Sequence, residues 1–139
     1  KKMRTFFSRS LLFIFLTVAV SSCEINSSCG ACTDELRIAT VSVTDQNQSP
    51  IALDDFQVIN LQTNENITAD LSAEELLDAQ QNGRYPILDD SQIGASDAIS
   101  IQFQGFLDGT QVITEEYLIT ADCCNHIESV VGNQNIILQ

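Results

Sequence analysis

The residues best able to do chemistry in this 139-residue chain are five cysteines and a single histidine. Cys29 and Cys32 are separated by two residues, whereas Cys123 and Cys124 are adjacent. An even set of cysteines in an exported chain favours disulfides, and residues 1–22 have the pattern of an export signal. Because a disulfide needs Cα atoms about 5.5 Å apart, adjacent cysteines are poorly placed to bond each other. We therefore expect each cysteine of the adjacent pair to bond one of the separated pair, in either order.

Two other chemistries would use the same thiols. Cys29 and Cys32 could form a thiol-redox pair, although no thioredoxin-like βαβ pattern follows them. A zinc site could combine cysteines with His126, but adjacent cysteines seldom both ligate one metal. Structural disulfides are therefore the favoured interpretation, and a thiol-redox protein is the alternative.

The other reactive residue types form no catalytic set in the sequence. A serine triad needs a histidine beside a nucleophile and an acid, but the one histidine, His126, begins a strand pattern. Disulfide bonding would remove the thiol of Cys124 from any cysteine–histidine pair. Glu115 and Glu116 point to opposite faces of a strand, so they cannot act as a carboxylate dyad. We expect a non-enzymatic protein with a structural histidine.

Acidic residues in loops are candidate calcium ligands. Calcium prefers several carboxylate and carbonyl oxygens supplied by loops. Asp89, Asp90 and Asp97 lie on one such loop, and segment 45–55 carries further acidic side chains. Neither segment follows the EF-hand order, so solvated turns are the favoured interpretation. A calcium-stabilised module is kept as an alternative, and the only cofactor expected is a covalent lipid.

The fifth cysteine, Cys23, follows an N-terminal export signal. Basic residues precede an apolar run at 11–20, which is shorter than the ~20 residues of a transmembrane helix. Residues 20–23, Val-Ser-Ser-Cys, are similar to the lipobox of bacterial lipoproteins. The resemblance implies cleavage after residues 1–22 and a diacylglyceryl group on Cys23, and two or more acyl chains anchor a protein stably. A plain secretory signal beside an incidental cysteine is the alternative.

The chain that remains after such cleavage is very acidic. Four of the six basic residues lie in the signal, which leaves Arg37 and Arg84 against 19 acidic residues, a formal charge of −17. Such a surface repels phosphate backbones, so nucleic acid is excluded as a partner. The excess of acid serves solubility, or it attracts a divalent cation or a basic partner.

Hydrophobic periodicity predicts a mainly β domain over residues 37–139, behind a lipidated tether at 23–36. Ser72 and Glu75 form a capping box, and Gly83 is placed as a stop, which together predict one short helix near 72–82. Asp108 and Gly109 predict a tight hairpin turn. The predicted strands are 37–44, 56–61, 85–88, 99–104, 111–120, 126–131 and 135–138.

Three segments together resemble the transthyretin-like fold of carboxypeptidase regulatory-like domains. They are Val-Ser-Val-Thr-Asp at 41–45, Gly-Arg-Tyr-Pro-Ile at 83–87, and 99–106, where Ile-Ser-Ile leads to Gly-Phe. The match covers about residues 37–131 but lacks the usual glycine of the first turn. The resemblance implies a binding or spacer module without catalysis. It agrees with the strand pattern, which predicts an antiparallel β-sandwich of about seven strands, transthyretin-like or immunoglobulin-like.

These features predict an exported lipoprotein of the cell envelope, anchored at the outer membrane through Cys23. Its domain is expected to be a binding, adhesion or assembly module. The expected partners are the membrane, through the lipid, and an envelope protein or extracellular ligand. The face of the envelope stays open, and Met3 is a possible start of translation.

Overall fold

The computed structural model describes residues 29–139. Cys23 and the predicted signal peptide lie outside the described residues. Within them the chain forms seven strands, one α-helix and a single 3₁₀ turn. The elements are β1 (Ile38–Thr44), β2 (Asp55–Asn60), α1 (Ala73–Asn82), β3 (Arg84–Asp89), the 3₁₀ turn (Asp90–Gln92), β4 (Ala98–Leu107), β5 (Thr110–Ala121), β6 (Ile127–Val131) and β7 (Asn135–Ile137).

The strands form two sheets that enclose one core. The three-stranded sheet has the order β3-β1-β7, and the four-stranded sheet has the order β2-β4-β5-β6. All neighbours are antiparallel except β1 and β7, which are parallel. The predicted mainly β sandwich with one short helix is confirmed. The predicted strand ends are within one residue of those observed, except that β4 continues three residues beyond its predicted end, to Leu107.

Alternating side chains of the two sheets build the core. Val41 and Val43 of β1 are fully buried, while Ser42 between them is only partly covered. The rings of Phe56, Tyr85 and Phe103 pack together with centroids 5.4–6.3 Å apart. Burying such alternating residues on both inner faces is what stabilises a sandwich.

Helix α1 begins and ends where the sequence predicts. The Ser72 side chain accepts from the Glu75 N–H while the Glu75 carboxylate accepts from the Ser72 N–H, which completes the capping box. Gly83 ends the helix with φ 61°, and its carbonyl accepts from Val43 of β1. A Cβ at this position would lie 2.5 Å from the Val43 carbonyl oxygen. Glycine therefore allows the chain to turn directly from α1 into β3, beside β1.

Candidate functional site

The four described cysteines form two disulfides at one end of the sandwich. Cys29 bonds Cys123 with Cα atoms 5.7 Å apart, and Cys32 bonds Cys124 with Cα atoms 5.4 Å apart. The expected cross-pairing is confirmed, and the structure decides the order that the sequence leaves open. Segment 29–36, which forms no helix or strand, is therefore tied to the chain between β5 and β6.

The two disulfides lie side by side. The sulfur of Cys29 is 3.3 Å from that of Cys124, to which it is not bonded. Among residues 29–139, Cys29, Cys32 and Cys124 are the one set of three potential metal-ligating side chains within 4.8 Å of one another. Their sulfurs are bonded in the disulfides, so they are not available as thiolates in this state.

Beside the disulfides, His126 is buried against Asp90. Its Nδ1 lies 2.8 Å from the Asp90 carboxylate, and its Nε2 lies 3.0 Å from the carbonyl oxygen of Thr33. Both of these partners accept hydrogen bonds, whereas a neutral imidazole has only one N–H to donate. The geometry therefore fits a protonated His126 that joins the N-terminal segment to the 3₁₀ turn.

The Asp90 carboxylate is a hub for backbone groups as well as for His126. It accepts from the N–H of Arg37 at 2.8 Å and from the N–H of Ile127 at 2.7 Å. Burial opposes ionisation of Asp90, but the hydrogen bonds from His126 and these two N–H groups hold its pKa below the ordinary value. Asp90 thus stays charged and fastens the starts of β1 and β6 to one point.

The charges around His126 favour its protonated form. The hydrogen bond with Asp90 raises its pKa above the ordinary value, while burial acts against this. The Thr33 carbonyl raises the pKa further, and the nearby charge of Arg37 lowers it. Asp122 accepts from the backbone N–H of His126, and this hydrogen bond lowers the pKa of Asp122.

This arrangement predicts how stability depends on pH. Because the pKa of His126 is raised in the folded state, its contribution is complete below the ordinary value of 6.5 and is lost as the pH rises through the folded value. The lowered pKa of Asp90 acts on the acid side, where stability is lost as the pH falls below about 4. We expect the melting temperature of the wild type to fall as the pH rises above about 6.5, and that of His126→Gln to change little over the same range. Thermal melts of both proteins across this range test the prediction, and equal slopes would contradict it.

The three calcium candidates do not form one site. The Asp89 carboxylate accepts from the Ser91 N–H at 2.7 Å and caps the 3₁₀ turn. Asp90 is turned inward toward His126, and Asp97 is exposed beyond the turn. Each of the first two carboxylates thus has a local structural partner, and the three do not converge within 4.8 Å in the described part of the chain.

A second feature, which the sequence does not reveal, is a groove between α1 and the outer face of the three-stranded sheet. It has a volume of about 610 Å³. Its apolar lining includes Ile38 of β1, Pro86 of β3 and Leu77 of α1. Ile38 and Leu77 are 54% and 52% exposed, which is unusual for large aliphatic side chains that share one concave surface. We call this surface the α1 groove.

Polar groups lie at one end of the α1 groove. The guanidinium of Arg84 donates to the hydroxyl of Thr40 at 3.2 Å. Both residues also line an adjoining polar hollow with Ser42 and Asn135. Arg84 makes no ion pair within 4.0 Å in the described part of the chain. A ligand in the groove would thus meet an apolar floor and a hydrogen-bonding end.

The opposite end of the α1 groove continues into a second hollow. The two share Ile38, Leu71, Glu75 and Pro86 as lining residues. The second hollow extends the surface past the end of β3 toward the 3₁₀ turn. The combined surface follows β3 over its six residues, which is about 20 Å at the rise of a strand.

Comparison with protein-family models, with curated proteins and with solved structures finds no match for this chain. Among residues 29–139, none of the helices has the length and apolar character needed to span a membrane. Function must therefore be argued from the site itself.

Proposed function

We propose that this chain is a lipid-anchored envelope protein whose sandwich domain binds a partner in the α1 groove. The observation that carries the proposal is the exposure of two large aliphatic side chains, Ile38 and Leu77, on the lining of one groove. Aliphatic residues exposed singly are normal on a protein surface, whereas apolar residues grouped in a concavity are typical of binding sites.

The elements that form the groove are held firmly, as a binding site requires. Helix α1 is capped at both ends, and its Ala79 is buried in the core. The Gln80 side chain donates to the Leu53 carbonyl at 2.9 Å, which fixes the helix to the loop before β2. The floor consists of two hydrogen-bonded strands. A preformed site loses little entropy when its partner binds.

The expected anchor would hold the groove near a membrane. Cys23 precedes Cys29 by six residues, which span at most about 20 Å when extended. Cys29 is bonded to the loop that carries His126, and His126 in turn bonds the turn after β3. The domain would therefore be tethered by the end at which the groove surface approaches the 3₁₀ turn, so a membrane-bound partner would lie within reach.

Affinity purification of the full-length protein from detergent-solubilised envelopes tests this function. We expect Leu77→Asp, which puts a charge into the groove, to lose about tenfold or more of the proteins that co-purify with the wild type. The matched control is Val112→Asp, since Val112 is 40% exposed on β5, in the other sheet. Equal retention by the two variants, measured by quantitative mass spectrometry, would contradict a binding role for the groove.

A further inference from the structure

We propose that the partner of the α1 groove is a basic amphipathic segment of another envelope protein. The inference rests on the proposed binding function and adds the chemistry of the partner. It combines the apolar floor of the groove with the charge of its rim. A segment that presents aliphatic side chains to the floor and lysine or arginine to the rim would satisfy both.

The rim of the groove is strongly acidic. Five carboxylate residues line the groove and its extension: Asp70, Glu74, Glu75, Asp78 and Asp89. Arg84 is the one basic residue in this lining. The other described arginine, Arg37, donates to the Ile127 carbonyl and lines neither hollow. The surface around the apolar floor therefore carries a net negative charge.

Local hydrogen bonds leave these carboxylates able to receive a cation. Glu75 uses one oxygen in the capping box with Ser72, and this holds its pKa below the ordinary value. Asp78 accepts from the side chain of Asn82, also through one oxygen. An ionised carboxylate has about four acceptor positions, so each keeps free capacity. Four of the five rim residues, all but Asp89, are exposed to solvent.

The length of the surface suits a short segment. About 20 Å accommodates some six extended residues or about 13 residues of α-helix. Apolar side chains at helical or strand spacing would reach Ile38, Leu71 and Leu77 along this length. Arg84 at the polar end would then favour an acidic side chain or the carboxyl terminus of the partner segment. This contact would decide which way round the segment lies in the groove.

Charge also argues against two other occupants of the groove. A second copy of this chain would bring like-charged rims together, and an anionic lipid headgroup would be repelled by the same carboxylates. A basic segment gains from the long-range field of a chain whose formal charge after residue 22 is −17. Its association is therefore expected to be fast and to weaken with salt.

Binding of synthetic peptides to the full-length protein in detergent tests the proposal. Two fluorescent peptides of about 14 residues share one leucine pattern, and their polar positions carry lysine in one and glutamate in the other. We expect only the lysine peptide to bind, with affinity falling at least about tenfold between about 50 mM and 500 mM salt. The double variant Glu74→Gln, Asp78→Asn should weaken binding about fivefold or more.

The control removes equal charge elsewhere. Glu115→Gln with Glu116→Gln changes two carboxylates of β5, in the other sheet, and should leave the affinity within about twofold. Equal binding of both peptides, equal weakening by the two double variants, or no binding of the lysine peptide would overturn the proposal. Anionic vesicles, tested without detergent on the Cys23→Ser form so that the expected lipid is absent, should give no binding. If Leu77→Asp still loses its partner while the lysine peptide fails, the binding function stands and only the basic character of the partner is wrong.

Discussion

Replacing all four disulfide cysteines by alanine should lower the free energy of unfolding by about 6 kcal/mol, whereas removing either disulfide alone should cost only about 2 kcal/mol. The bridges join residues 94 and 92 positions apart. Either one therefore closes a loop of more than 90 residues. The expected loss is large only when no bridge closes that loop.

The reason for this non-additivity lies in the spacing of the cysteines. Cys29 and Cys32 are three positions apart, and their partners are adjacent. Once one disulfide has closed the long loop, the second closes only a small ring and removes less than half as much entropy from the unfolded chain. The first bridge thus provides most of the stabilisation, whichever one it is.

Urea unfolding of four proteins measures the effect. The proteins are the parent, the two single-bridge variants and the variant without bridges, all carrying Cys23→Ser so that no lipid is attached. Each single variant replaces both cysteines of one pair. If the two single losses instead add up to the full loss, the bridges act mainly through native contacts and the loop-closure explanation is wrong.

Asp90→Asn should be the most damaging single change among the acidic residues, with a loss of about 3 kcal/mol. One Asp90 oxygen accepts from both His126 and the Arg37 N–H, and the other accepts from the Ile127 N–H. An amide has only one acceptor oxygen. In either orientation its NH₂ group would face a donor inside a site that is 6% exposed.

Asp97→Asn is the matched control, because Asp97 lies on the same loop but is exposed. Surface changes of this kind usually alter stability by less than about 0.5 kcal/mol. Urea unfolding of both variants at about pH 6, where His126 is charged, measures the difference. If Asp90→Asn lowers the free energy of unfolding no more than Asp97→Asn does, the hydrogen bonds of Asp90 do not hold β1 and β6 together.

The strands and the helix could be predicted because each has a local cause. Ile99, Ile101 and Phe103 alternate with polar residues. This period of two, which is typical of a strand with one buried face, can be recognised from the local sequence alone. The capping box of Ser72 and Glu75 likewise depends on neighbours three positions apart. These elements can therefore be predicted without knowing which strands pair in the sheets.

The site could not be predicted in the same way because distant segments build it. Asp90 is one acid among several in a polar loop, and its burial follows only from the contacts of β1 and β6. Ile38 and Leu77 each fit an ordinary amphipathic pattern, but they are 39 positions apart in the sequence. Their common exposure in one groove depends on how α1 lies beside the sheet. The spacing of the cysteines predicts that the two pairs bond each other, but the order, Cys29 with Cys123 and Cys32 with Cys124, depends on three-dimensional proximity.

The most direct measurement is photo-cross-linking from the groove in living cells. A photoreactive amino acid at position 77 of the full-length chain, compared with one at position 112, reports what occupies the groove. We predict one discrete adduct from position 77, none from position 112, and a weaker adduct when Cys23→Ser removes the expected anchor. Identical adduct patterns from the two positions, or no adduct from position 77, would contradict a groove that binds an envelope partner.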